Sequence, residues 1–102
     1  MHVRRRLLSA GHAAGYSQWV SHILIVEDDV ALAALVAEYL EQNGLTVAVE
    51  HRGDRAVSRI LSESPALVVL DIMLPGEDGL SICRRVREHY DGPILIASAR
   101  CE

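Results

Sequence analysis

The sequence predicts an α/β domain built as a doubly wound parallel sheet, and three observations carry that prediction. Short, wholly apolar runs at Ile23-Leu24-Ile25-Val26, Leu67-Val68-Val69-Leu70 and Ile94-Leu95-Ile96-Ala97 read as strands buried on both faces. Stretches with helical periodicity separate them, the pattern of strand and crossover helix that yields parallel pairing. Two of the runs stop at carboxylates, Glu27-Asp28-Asp29 and Asp71.

After the first strand, Leu32, Leu35, Val36, Tyr39 and Leu40 recur at the spacing of one helical stripe, and Asn43-Gly44 supplies a stop. A helix over about 29–42 follows. Leu45 to Val49 reads as the second strand and Gly53-Asp54 as a turn and cap. Ala56, Val57, Ile60 and Leu61 then form the buried face of a second helix that ends before Pro65. Beyond the third strand, a loop over 72–78 leads to Asp78, which can cap a third helix with apolar positions Ile82, Cys83, Val86 and Tyr90. Asp91-Gly92-Pro93 breaks that helix ahead of the fourth strand, which ends at Ser98.

A length of 102 residues allows one domain, and half the residues are apolar with a quarter charged, as in soluble globular proteins. The net charge of -4 argues against a nucleic-acid surface, which needs a clustered excess of basic residues. No stretch approaches the roughly 20 apolar residues of a membrane span. Cys83 and Cys101 lie far apart, with no partner spacing for a disulfide framework or zinc site, so a cytoplasmic setting is expected. Cys83 reads as a packing residue, and the five histidines share no ligand spacing. Arg84, Arg85 and Arg87 read as a solvated helix face. Residues 1–21 differ from the rest: Arg4-Arg5-Arg6 precede a weakly apolar stretch too interrupted for a secretory signal, so a disordered or misannotated tail is expected.

In open parallel sheets, ligands sit at the carboxyl ends of strands where the winding reverses. In the flavodoxin-like order that point lies between strands one and three, the two that end in acids here. Glu27, Asp28 and Asp71 would converge there, and clustered carboxylates repel unless a cation or proton neutralises them. All-oxygen donors suit Mg²⁺. Asp71 could then attack a phosphoryl group, with the metal offsetting charge on the phosphoryl oxygens. Pro75-Gly76 supplies a tight turn beside that strand end, and Gly79 permits close backbone approach.

The segments ILIVEDD at 23–29, LDIMLPGEDGL at 70–80 and PILIASAR at 93–100 closely resemble response-regulator receiver domains. The likeness covers residues 22–102. It is greatest to the OmpR-type branch of DNA-binding regulators, and within that to the RstA-like group. The resemblance implies that Asp71 is the phosphoacceptor and that Asp28 is a direct Mg²⁺ ligand. Glu27 would act through metal-bound water, the Met73 backbone carbonyl would be a further ligand, and Ser98 would be the switch hydroxyl. It implies a sensor histidine kinase as phosphodonor, a homodimer as one assembly, and a signalling domain in place of an enzyme.

The family pattern has five strands and five helices, of which this sequence supplies four strands and three helices. The chain is therefore expected to be a partial receiver, whether a fragment, a frameshifted product or a section of a longer protein. The family's strand-five lysine has no counterpart, since all ten basic residues are arginine. Two alternatives stand beside this reading. A receiver-like binding module without a phosphorylation switch fits the missing elements. A metal-dependent phosphohydrolase would place a second aspartate two residues after the first, where this chain has Met73.

Overall fold

A computed structural model describes residues 21–97. Three expected positions, Ser98, Cys101 and the basic tail segment, lie outside the described residues.

Four parallel strands form the main sheet: β1 (Ile23–Val26), β2 (Val47–Glu50), β3 (Leu67–Asp71) and β6 (Ile94–Ala97), in the order β2-β1-β3-β6. This is the flavodoxin-like arrangement, with the reversal between β1 and β3. Three helices connect the strands: α1 (Val30–Gln42), α2 (Gly53–Glu63) and α3 (Gly79–Val86). Among the described residues no helix is long and apolar enough to cross a membrane.

Helix α1 begins where an acid can cap it: Asp29 accepts a hydrogen bond from the Leu32 backbone N–H at 3.0 Å. It ends at Asn43, followed by Gly44 with φ of +87°, a conformation that Gly adopts without steric cost. The cap of α2 departs from expectation. Arg52, not Gly53-Asp54, occupies the N-cap and makes no capping bond through its side chain, while Asp54 lies in the first turn and binds the Arg52 guanidinium. Helix α3 is capped by Asp78 as expected but stops at Val86, four residues before Tyr90. Tyr90 is buried all the same, because its hydroxyl donates to the Pro65 carbonyl at 2.8 Å and holds the ring against the core. Strand β2 starts two residues later and ends one residue later than the apolar pattern suggested. Glu50 ends it, buried, with its carboxylate accepting from the Arg52 backbone N–H at 2.9 Å and facing the Arg59 guanidinium at 3.5 Å.

The core lies on one face of the sheet. Leu24 and Val26 of β1, with Val68 and Leu70 of β3, pack against Ile60 and Ala56 of α2 and Ile82 and Val86 of α3. Cys83 packs against the edge of this cluster, as expected for a packing residue. Leu61, expected on the buried face of α2, is exposed. The other face is different. Ala33 is the buried residue of α1, while Leu35 and Tyr39 of its apolar stripe are 63% and 65% exposed.

Candidate functional site

Register brings the acids together. Val26 pairs with Leu70 across β1 and β3, so Glu27, Asp28 and Asp71 leave the sheet side by side at its carboxyl edge. One ligand oxygen from each lies within 4.8 Å of the others. The loop holding the first two acids is tied down at several points. The Glu27 backbone N–H donates to the Glu50 carbonyl at 3.0 Å, and the Glu27 carboxylate accepts from the Asp29 N–H at 3.0 Å. Glu27 is pushed above the ordinary carboxylate range, first by burial and then by the nearby charges of Asp71 and Asp28, while its bond from Asp29 acts against that rise.

Asp71 is only 5% exposed, and its Oδ1 accepts from the Met73 backbone N–H at 3.0 Å. The following Ile72 N–H continues the sheet by donating to the Ala97 carbonyl at 3.1 Å. Asp28 is the most informative of the three: its Oδ1 is buried without a hydrogen-bond partner. A desolvated carboxylate oxygen with no donor is costly. The donor set therefore fits a hard divalent cation, which would satisfy that oxygen and offset the repulsion among three carboxylates.

Residues after Asp71, expected as a plain loop, form a small hairpin, β4 (Met73–Leu74) and β5 (Glu77–Asp78). Pro75 and Gly76 are its central turn residues, and Gly76 has φ of +76°, the value a type II turn requires at its third position. This turn faces His51, Arg52, Gly53 and Asp54 across a polar cleft. Gly79 is needed for space. A Cβ there would stand 2.6 Å from the Asp71 carbonyl oxygen and 2.8 Å from the Ile72 Cα. Helix α3 thus starts against the backbone of the acidic strand end.

Sequence reasoning missed His51. Its Nδ1 lies 3.0 Å from the Glu27 carbonyl oxygen and ties the β2–α2 loop to the acidic loop. The two positions are 24 residues apart, and no local pattern links them. The expected solvated face of α3 also has local duties. Arg85 binds Glu77 of the hairpin at 2.5 Å, and Arg87 donates to the Tyr90 and Gly92 carbonyls.

A family model described as the response regulator receiver domain matches residues 23–102. The chain belongs to this family. It is 49% identical over 77 residues to the transcriptional regulatory protein RstA of Escherichia coli K12, an alignment covering 76% of this chain and 32% of that protein. The chain thus spans about a third of the length of that curated relative. Among solved structures, the beryllofluoride-activated N-terminal receiver domain of Klebsiella pneumoniae RstA superposes with a TM-score of 0.74 at 45% identity, covering 80% of this chain and 70% of that one. The receiver domain of the Francisella response regulator 1452 gives 0.73 at 28% identity, over 80% and 69%. Receiver domains of response regulators are signalling domains of two-component systems, not enzymes, so the phosphohydrolase alternative is set aside.

Proposed function

We propose that Asp71 accepts a phosphoryl group from a sensor histidine kinase, in a pocket where Mg²⁺ is held by Asp28, Asp71 and the Met73 backbone carbonyl, with Glu27 acting through water. The observation that carries this reading is the buried, unpartnered Oδ1 of Asp28 beside Asp71. A structural cluster of acids would be expected to satisfy that oxygen with a donor.

Each residue has a distinct task. An Asp71 carboxylate oxygen attacks phosphorus, a P–O bond forms, and the bond to the donor's leaving group breaks. The Met73 N–H on Asp71 Oδ1 orients that carboxylate. The tie from Asp29 to Glu27 and the contact of His51 with the Glu27 carbonyl fix the loop presenting Asp28. Bound Mg²⁺ supplies charge neutralisation of the phosphoryl oxygens as they approach three carboxylates. Ser98 follows Ala97, whose register partner is Asp71, a position in sequence that suits a hydroxyl donor to the phosphoryl group. That RstA from Klebsiella takes a beryllofluoride-activated form supports the same use of this pocket. The alternative of a binding module without phosphorylation has no comparable observation in its favour.

The test is intact-mass measurement after incubation with Mg²⁺ and a small phosphodonor. Wild type gains one phosphoryl group and Asp71→Asn gains none. Equal uptake by both would remove Asp71 from the role.

A further inference from the structure

Val26 and Glu50 are the last register pair of β1 and β2. Beyond them the Glu27 N–H still donates to the Glu50 carbonyl at 3.0 Å. In a continued parallel ladder the next bond would run from the Arg52 N–H to the Glu27 carbonyl. Here the Arg52 N–H is diverted to the buried Glu50 carboxylate at 2.9 Å. Arg59 keeps that carboxylate in place, its guanidinium facing it at 3.5 Å and donating to the Val49 carbonyl at 2.9 Å. The Glu27 carbonyl is taken instead by a side chain, His51, with Nδ1 at 3.0 Å. A carbonyl oxygen only accepts, so Nδ1 carries a hydrogen in this contact.

The same segment braces the other side of the site. Gly53 lies so close to the β4–β5 hairpin that a Cβ there would stand 2.9 Å from the Glu77 Cβ and 3.4 Å from the Leu74 Cδ1. Residues 50–53 thus bridge the two loops that flank Asp71, one carrying Glu27 and Asp28 and the other carrying Met73.

We propose that His51 is a positioning residue for the cation site, acting through its Nδ1–H on the Glu27 carbonyl to set where the Asp28 carboxylate stands. The inference rests on the reading of the three acids as a Mg²⁺ site and adds the residue, and the atom, that hold their geometry. The bonded carbonyl belongs to the peptide that joins Glu27 to Asp28, so releasing it frees that peptide to rotate. Mg²⁺ demands near-ideal octahedral placement of its ligands, and binding therefore weakens although no ligand has been removed. Nδ1 carries a hydrogen in the imidazolium as well as in this neutral form, so the tie does not depend on the charge of the ring. Coupling is reciprocal: Mg²⁺ at the acids also holds His51 more firmly, and the 51–54 loop reports that the site is filled.

The test titrates Mg²⁺ into the wild-type chain and into His51→Ala, His51→Asn and His51→Gln, following the Ile72 and Met73 amides by NMR, with circular dichroism as the control for folding. The amide nitrogen of asparagine is bonded to Cγ, as Nδ1 is, whereas that of glutamine lies one bond further out, at the place of Nε2. The expected result is Mg²⁺ binding about 3- to 10-fold weaker in His51→Ala and His51→Gln, and restored to within about twofold by His51→Asn. A packing role would not favour the smaller amide. Wild-type affinity in His51→Ala, or no recovery in His51→Asn, would overturn the proposal and leave the acids as the metal site. Mg²⁺ binding unchanged by Asp28→Ala would overturn the reading of the site, and the proposal with it. The tie is also read without metal. In a chelating buffer at alkaline pH, the ring ¹⁵N shifts of His51, identified by their absence from His51→Asn, are expected to show the neutral ring protonated at Nδ1. A ring protonated at Nε2 would overturn the proposal whatever the variants do.

Discussion

The two faces of the sheet have similar sequences and different fates. On the side of α2 and α3, Leu24, Val26, Val68, Leu70, Ile60, Ile82 and Val86 are completely buried. On the side of α1, a helix whose apolar residues spread further round its surface leaves Leu35 and Tyr39 mostly in solvent. The difference is one of partners. Helices α2 and α3 pack against each other as well as against the sheet, so each apolar residue meets atoms on several sides. Helix α1 stands alone on its face among the described residues. Periodicity shows which way a helix turns its apolar side, but burial depends on whether a second element closes over it.

The largest test of this contrast is truncation on each side. Leu70→Ala on the closed face removes a fully buried side chain and is expected to cost about 2–5 kcal/mol in urea denaturation. Leu35→Ala on the open face is expected to cost less than about 1 kcal/mol, because its side chain is already largely hydrated. Comparable losses would mean that the α1 face is closed in solution by something as tightly packed as α2 and α3.

A second test lies at the seam between the core and the acids. Gly79→Ala places a Cβ against backbone atoms of Asp71 and Ile72, which cannot give way as a side-chain tip can. The expected loss is about 1–3 kcal/mol, from overpacking and displacement of the start of α3. The control is Gly44→Ala, where added atoms meet open space and only the positive φ opposes the change. If Gly79→Ala proved as mild as a surface substitution, the close approach of α3 to the acidic strand end would be wrong.

Much of this architecture was legible in the chain because each signal was local. The runs 23–26, 67–70 and 94–97 had no polar residue to interrupt them, and all three are strands with those bounds or within one residue of them. Asp29 and Asp78 preceded apolar periodicity and are caps. The convergence of Glu27, Asp28 and Asp71 followed from strand order alone. What escaped notice depended on distant partners. Nothing near His51 announces that it reaches the Glu27 carbonyl, and the burial of Glu50 depends on Arg59 one helix away. The β4–β5 hairpin has strands of two residues, too short for alternation to register. The exposure of Leu35 and Tyr39 was illegible for the same reason, since a stripe carries no record of its cover.

The acidic mouth of the open face offers a third test. Without a cation, the buried unpaired oxygen of Asp28 and its acidic neighbours oppose folding. Asp28→Asn is expected to stabilise the cation-free protein by about 1 kcal/mol, since an amide reduces like-charge repulsion. Added Mg²⁺ reverses the ranking. A cation at 100 times its dissociation constant raises wild-type stability by about 2.7 kcal/mol, and the variant responds far less. Parallel responses of the two proteins in a thermal melt with and without Mg²⁺ would move the cation away from Asp28.

The smallest expected effect concerns Glu27, whose carboxyl is held above its ordinary pKa by burial and by Asp71 and Asp28. A raised carboxyl binds more protons in the folded state than in the unfolded state, within the window between the two pKa values. Stability then falls as pH rises through the folded pKa, and the penalty is fully present at neutral pH. Asp54 and Glu63 behave in the opposite sense. The Arg52 side chain lowers Asp54, and Arg59 and His22 lower Glu63 against the opposing effect of burial, so their contributions disappear as the solution is acidified. The whole-protein profile mixes both signs, and the informative quantity is the difference between wild type and Glu27→Gln in a chelating buffer. The variant is expected to be the more stable at pH 7, with its advantage shrinking as pH falls toward the ordinary glutamate value. Because the Glu27 carboxylate already accepts a hydrogen bond from the Asp29 N–H whereas Asp28 Oδ1 is buried without a partner, the difference is a fraction of that produced by Asp28→Asn. A difference that grows on acidification would show that Glu27 is stabilised as the anion in solution, and that the open face already holds a positive charge at its mouth.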